Sequence, residues 1–405
     1  MAPSRKYVLT KEQRHMYASE TLINFRWISK IMATRAPYTL SSKDFAPAEV
    51  KDYVSEIGIG NMWFRMYLIP STPGQFAEIT YSTLPTQFIF DNLPALMEPT
   101  FPLEGYHSVR DAQLVSTFTG KTAHLPGYLA YRPQTKQLVL AFAGTTTLTQ
   151  AFYDVRGLQH RHPSRRGNVH SGFWKLYKGI KSFALETIRK GLAEHDVAEF
   201  VITGHSMGAA VSQLLLLDIL RDENLVSIGA IPLKLVVFGA PRSGNEDLVK
   251  YWCELLDNRR TKHGEASIAE YSVKAYNDGI CIIFSYTLFR NSTSPVVCKV
   301  YPPCLPLAFG YRHYAQSPFY FVHGRLYQIP LASREYALFH LTPDLEDEKI
   351  VPDHPRGGHN YYNGRDMEKF ARRMMWLEKA MRREGDWKER YRAKVAKHSL
   401  NVGSP

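Results

Sequence analysis

Apolar and polar positions along the chain change rhythm near Gly127. Before about residue 60, charged, aromatic and apolar residues are mixed without a sharp period, and no element stands out. A Pro-Gly break in "IPSTPGQFAEITYSTLP" (69–85) precedes a short helical run starting near Gln75. After Gly127 the pattern becomes legible. "GYLAYRPQTKQLVLAFAGT" predicts strand, turn, strand, with Leu138 to Phe142 apolar enough to be covered on both faces. "HSGFWKLYKGIKSFALETIRKGLAEH" (170–195) spaces its apolar residues at helical intervals. "DVAEFVITG" predicts a buried strand, "AAVSQLLLLDILRD" a buried helix, and "PLKLVVFGAPRSGN" a strand ending in a turn. "EYSVKAYNDG" alternates through Val273 and Ala275 until Asn-Asp-Gly stops it.

Strands alternating with helices at this spacing predict an α/β fold, a mostly parallel sheet with helices on both faces. In such sheets reactive groups gather beyond the carboxyl ends of the strands, which says where chemistry should be sought.

Composition narrows the picture. With 405 residues and 44% hydrophobic content the chain can bury a large core, as one domain with extensions or as two. The first residues lack the apolar run of a signal peptide, and no stretch of about twenty apolar residues could span a bilayer. The expectation is therefore a soluble, cytoplasmic protein. The four cysteines lack metal-ligand spacing, so reduced thiols are expected. A formal net charge of +12 favours an anionic partner such as a phospholipid surface. No nucleic-acid-binding motif occurs, so no nucleic acid is expected.

Candidate chemistry starts at "VITGHSMGAA" (201–210). Gly204-His205-Ser206-Met207-Gly208 fits G-x-S-x-G between an apolar strand and an apolar helix. A sharp strand-to-helix turn of this kind pushes the serine oxygen out above the sheet, making Ser206 the candidate nucleophile. Gly204 and Gly208 leave room for neighbouring backbone. The helix directs its first amides, that of Met207 foremost, toward developing negative charge. A serine N-cap on an ordinary turn would share the bare motif, but not its strand and helix context.

The chain resembles the class 3, fungal-lipase-like branch of the α/β-hydrolases. The resemblance runs from about Tyr81 to Tyr362 through the blocks "LVLAFAGTTTLTQAFYDV", "VHSGFWKLY", "VITGHSMGAA", "VVFGAPRSGN", "AYNDG", "LAFGYRHYAQSPFYFVHG" and "GGHNYY". It implies an α/β-hydrolase fold and a Ser-Asp-His triad acting on carboxylic esters, with lipid-like acylglycerols as the substrate class. Gly144-Thr145 resembles the family's Phe-Arg-Gly-Thr block, so Thr145 would join Met207 in the oxyanion hole. Ala143 stands where the family usually has arginine, and Ala151 where it often has tryptophan. Residues 148–158 fall where the family has a mobile lid; a plain amphipathic surface helix would look the same.

The remaining triad members follow in chain order. Asp278 ends a strand and matches the family's Asn-Asp block, whereas Asp218 and Asp222 lie on or just past the helix after Ser206 and point the wrong way. Among His313, His323, His340, His354 and His359, the last lies on a Gly-rich loop with tyrosine three residues on, as in the family's last motif. His359 is the expected base and His354 the alternative. His313 matches a family position that is not the base, and His205 and His170 are expected to pack and hydrogen bond.

Two features depart from the family. "ICIIFSYTLFRNSTSPVVCKVYPPC" interrupts the chain just after Asp278; this insert, 280–304, is read as a retained intron translated in frame. Beyond residue 364, Met367, Phe370, Met374, Leu377 and Met381 form an apolar stripe with basic residues around it. That stripe suits docking on the domain, or peripheral seating of 367–383 on anionic lipid. The expected organisation is an extension (1–60), a hydrolase domain (61–364) and a basic helical tail (365–405). The expected activity is a serine esterase or lipase, working without metal or cofactor. A phospholipase or small-ester esterase, or a catalytically impaired interaction module, are its alternatives.

Overall fold

A computed structural model describes residues 8–20, 34–57, 75–144, 159–278, 310–342, 345, 354–362 and 365–403. Its centre is an eight-stranded sheet in which spatial order follows chain order. The strands are β1 (Gln113–Thr119), β2 (Pro126–Arg132), β3 (Gln137–Phe142), β4 (Glu199–His205), β5 (Leu233–Phe238), β6 (Ile268–Ala275), β7 (Pro318–Val322) and β8 (Arg325–Gln328). Strands β3 to β7 are parallel to one another, while β1, β2 and β8 join antiparallel at the two edges. This is the mostly parallel sheet expected from the alternation of strand and helix patterns.

The period of two along each strand divides the core in half. On one face Leu138, Leu140 and Phe142 of β3, Phe200 and Ile202 of β4, and Leu233, Leu235 and Val237 of β5 pack against three helices. These are α1 (Ser171–Glu194), α2 (Met207–Arg221) and α3 (Glu246–His263). The intervening Val139, Ala141, Val201, Val236 and Phe238 point to the opposite face, covered by residues 76–109 and by the C-terminal helices. Burial of every residue of β3 follows from this double cover.

Helix starts and stops obey local chemistry. The Oδ1 of Asn245 accepts the Leu248 N–H at 3.1 Å at the head of α3, with Glu246 and Asp247 in the first turn. Gly264, at φ +92°, ends the same helix behind Arg260, Lys262 and His263.

The segments outside the expected domain boundaries are packed into it. Helix α4 (Met367–Met381) buries Met367, Phe370, Met374 and Leu377 in the second core, and α5 (Trp387–Gly403) adds Tyr391, stacked on Phe101 at 4.8 Å. The apolar stripe expected to be available for anionic lipid through 367–383 is thus occupied by the protein itself. Docking on the domain, one of the two expectations for this stripe, is what α4 shows. No described helix is long and apolar enough to cross a membrane.

The N-terminal segment, patternless as sequence, is tied down twice. Arg35–Leu40 pairs in parallel with Leu338–Leu341. Within the helix Lys11–Ala18, the Tyr17 hydroxyl accepts the Arg356 N–H at 2.9 Å. The proposed lid (148–158) and the insert (280–304) lie outside the described residues.

Candidate active site

The site lies at the carboxyl ends of β4, β5 and β6. Strand β4 runs directly into Ser206, whose φ of 58° and ψ of −123° no ordinary serine adopts. Such a backbone costs about 1–3 kcal/mol and persists only where its surroundings over-determine it. Here the Ser206 N–H donates to the Phe238 carbonyl at 2.9 Å, and the Ser206 carbonyl accepts the Ala209 N–H at 3.0 Å. The flanking glycines are sterically required. A Cβ at Gly204 would lie 2.6 Å from the Gly208 carbonyl carbon, and one at Gly208 would lie 2.7 Å from the Ala143 oxygen and closer still to that of Phe142.

Ser206 is buried, and its Oγ has no hydrogen-bond partner among the described residues. Met207 begins α2, where the first N–H groups of a helix lack intrahelical acceptors. One donor for an oxyanion thus sits next to the nucleophile. The other expected donor, Thr145, lies outside the described residues. The described chain on that side ends at Gly144, where a Cβ would lie 3.2 Å from Ser206 Cβ.

Asp278 and His359 meet beyond β6. His359 Nδ1 is 3.0 Å from Asp278 Oδ1 and 3.1 Å from Oδ2. An ionised carboxylate only accepts, so Nδ1 carries the proton and Nε2 presents its lone pair. Tyr362 donates to Asp278 Oδ2 at 2.5 Å. Burial alone would raise the Asp278 carboxyl, but the adjacent His359 and the Tyr362 hydroxyl outweigh it and hold it below its ordinary value. Gly239, just past β5 at φ +55°, gives the base its space, since a Cβ there would lie 2.7 Å from His359 Cε1.

The other candidates fall elsewhere. His354 stacks on Tyr361 at 4.4 Å, and His340 contacts Arg35 on the small sheet. His323 sits in the turn after β7 against Tyr276, at 5.5 Å between rings. Asp218 is engaged by Tyr177, Lys181 and Arg221 along α2. His313 is buried and neutral: burial first, then Lys274, Arg242 and Arg334, hold it well below its ordinary value. Among the described residues no cluster could hold a metal ion. Sequence reasoning assigned nothing to Tyr81, whose hydroxyl lies 2.5 Å from His205 Nδ1, because no local pattern announces a contact made 124 residues away.

Residues 139–277 match the class 3 lipases, spanning the strand before the oxyanion loop, the elbow and the approach to Asp278. That stretch of the chain resembles the class 3 lipases. A lipase of Rhizopus niveus is 29% identical over 146 residues, 35% of this chain and 36% of that protein. The secreted mono- and diacylglycerol lipase A of Penicillium cyclopium is 30% identical over 139 residues, 34% of this chain and 43% of that protein. The chain thus matches less than half the length of these curated relatives. The secreted Penicillium relative lends no support to the cytoplasmic location expected here. A solved triacylglycerol lipase, whose catalytic centre is a serine protease triad, superposes with a TM-score of 0.50 at 16% identity. The match covers 80% of this chain and 98% of that one. At that identity the likeness shows the fold alone, which is that of the α/β-hydrolases.

Proposed function

We propose that this protein is a serine carboxylic-ester hydrolase of the class 3 lipase type, acting on acylglycerol-type lipid esters. The observation that carries the reading is Ser206 held at φ 58° at the end of β4, together with a buried His359–Asp278 hydrogen bond whose other carboxylate oxygen is held by Tyr362.

In this reading Ser206 Oγ bonds to the ester carbonyl carbon while its proton passes to His359 Nε2. The carbonyl electron pair moves onto oxygen, facing the Met207 N–H and, by the family resemblance, Thr145. Collapse breaks the bond to the alcohol oxygen, which leaves with the proton from His359, and the acyl group stays on Ser206. Water then attacks the acyl carbon, its proton goes to His359, and that proton returns to Ser206 Oγ as the acid departs. Asp278 fixes the ring and stabilises the transient imidazolium. Loss of one oxyanion donor would cost about 2.7–4 kcal/mol of transition-state stabilisation.

The names of the Rhizopus and Penicillium relatives support lipid esters as the substrate class. Covalent labelling by a fluorophosphonate, abolished in Ser206→Ala, tests the nucleophile. A panel of p-nitrophenyl esters of increasing chain length tests the substrate class, with turnover expected to favour medium or long acyl chains. Labelling without any ester turnover would sink the assignment. A reducing, cytoplasmic compartment is proposed on cysteine usage alone and is checked by cell fractionation.

A further inference from the structure

His205, inside the elbow, faces two hydrogen-bond partners from distant parts of the chain. Its Nε2 lies 3.0 Å from the His359 carbonyl oxygen, and its Nδ1 lies 2.5 Å from the Tyr81 hydroxyl. A carbonyl can only accept, so Nε2 must carry the proton. Nδ1 is then an acceptor, and the Tyr81 O–H must be the donor. Burial supports this assignment independently. It drives His205 well below its ordinary value, with His359 adding to the effect, and it raises the Tyr81 phenol. Neutral imidazole and protonated phenol are the two forms this arrangement needs.

The third contact is Gly144. Its Cα lies against the Tyr81 hydroxyl so closely that an added Cβ would overlap it and lie 3.0 Å from the His205 carbonyl. One chain of bonds therefore runs from Tyr81 to His205 and from His205 to the carbonyl of His359, with Gly144 packed against its Tyr81 end. It joins the loop leaving β3, the elbow and the loop bearing the base. The rings of His205 and His359 are 4.3 Å apart, so the base also rests against this chain.

We propose that Tyr81 and His205 are positioning residues that set the oxyanion-side loop and the base loop against Ser206 through this directed hydrogen-bond chain and its Gly144 contact. Neither is assigned a covalent or proton-transfer role. The inference rests on the hydrolase reading for its kinetic consequence, but not for the chain itself. Their effect would appear in kcat, because small misplacements of reacting groups weigh on the transition state more than on binding.

The test uses the full chain with Tyr81→Phe, His205→Leu, His205→Gln and the Tyr81→Phe/His205→Leu double variant, each checked for cooperative melting. Turnover of a p-nitrophenyl ester should fall about tenfold to a hundredfold in Tyr81→Phe and His205→Leu, with KM within about twofold. The double variant should be no worse than its poorer parent. His205→Gln, which can still offer an N–H to the His359 carbonyl, should recover most of the activity. Losses that multiply, effects confined to KM, or a His205→Gln as poor as His205→Leu would overturn the proposal. Long-range proton–nitrogen correlation spectra of the histidine rings provide a readout independent of activity. They should show His205 neutral with its proton on Nε2, and an Nδ1–H form would equally overturn it. If wild-type Ser206 resists fluorophosphonate, the hydrolase reading fails, while the spectra still decide the chain.

Discussion

Tyr362 and Asp278 are joined by a 2.5 Å hydrogen bond to the same carboxylate that receives the proton of His359 Nδ1. The carboxylate is fully buried, so each bond it accepts replaces hydration it has lost. Tyr362→Phe removes one of them without changing the ring that packs at 5.7 Å on Phe238. A hydrogen bond to a charged group is worth about 1.5–3 kcal/mol, and a loss of that order is expected in urea unfolding at neutral pH. The sign with pH follows from the direction of the Asp278 shift. Its folded value is depressed, so its contribution is complete above the unfolded carboxylate value near about 3.9 and is lost as pH falls through the folded one. Tyr362→Phe should move the acid limb of unfolding to higher pH. An unchanged limb would mean that the Tyr362 bond does not stabilise the ionised form.

Gly208 is the tightest steric test of the elbow. Its absent Cβ would run into the carbonyl oxygens of Phe142 and Ala143 at the end of β3. Because both atoms are backbone, relief requires α2 or the loop after β3 to shift. Gly208→Ala should therefore reduce labelling of Ser206 by about a hundredfold or more, while leaving much of the fold intact. Normal labelling rates in a cooperatively folded Gly208→Ala protein would contradict the packing described.

How far the sequence could be read depends on the range of the forces involved. Burial on both faces of β3 and β4, the length of α1, and the glycines around Ser206 are local consequences of pattern and were legible. Asp278 and His359 were named from the end of a strand, a glycine-rich loop and resemblance. Their 3.0 Å contact spans 81 residues and is a property of the fold. Tyr81, Gly239 and Tyr17 were invisible for the same reason: each acts on a partner far away in sequence, Tyr17 on Arg356 across 339 positions. The C-terminal stripe was read correctly as apolar, yet periodicity says only that a face wants cover, not whether protein or lipid supplies it.

Glu270 makes a pH prediction away from the site. It is buried in β6, and its Oε2 accepts the N–H groups of Gln316 at 2.8 Å and Ser317 at 3.0 Å. Burial pushes the carboxyl up to about 7 despite those bonds. A raised acid binds a proton in the folded state that it has released when unfolded. The group therefore costs nothing below about pH 4, and its cost grows as pH rises toward about 7, reaching about 3 kcal/mol. Glu270→Gln keeps an acceptor for both amides and cannot ionise. Relative to wild type its melting temperature should rise progressively between pH 5 and 8. A constant difference across that window would show that Glu270 titrates at its ordinary value.

Met374 decides between docking and lipid for the C-terminal helix. It has no solvent exposure in α4 and packs in the core that includes Phe370 and Tyr391, with Tyr106 stacked on Phe370 at 6.1 Å between ring centres. Truncating a buried methionine costs about 2–5 kcal/mol, the lost transfer energy plus that of the cavity left behind. Met374→Ala should lower the urea midpoint accordingly, with the m-value unchanged if the denatured state is unaffected. The basic residues around the stripe offer a contrasting substitution. Arg382, just past the end of α4, is exposed and pairs with Glu378 one turn back, so Arg382→Ala should change stability by less than about 0.5 kcal/mol. If Met374→Ala proved as mild as Arg382→Ala, the stripe would not be seated on the core, and the helix would be free to lay that face on a lipid surface.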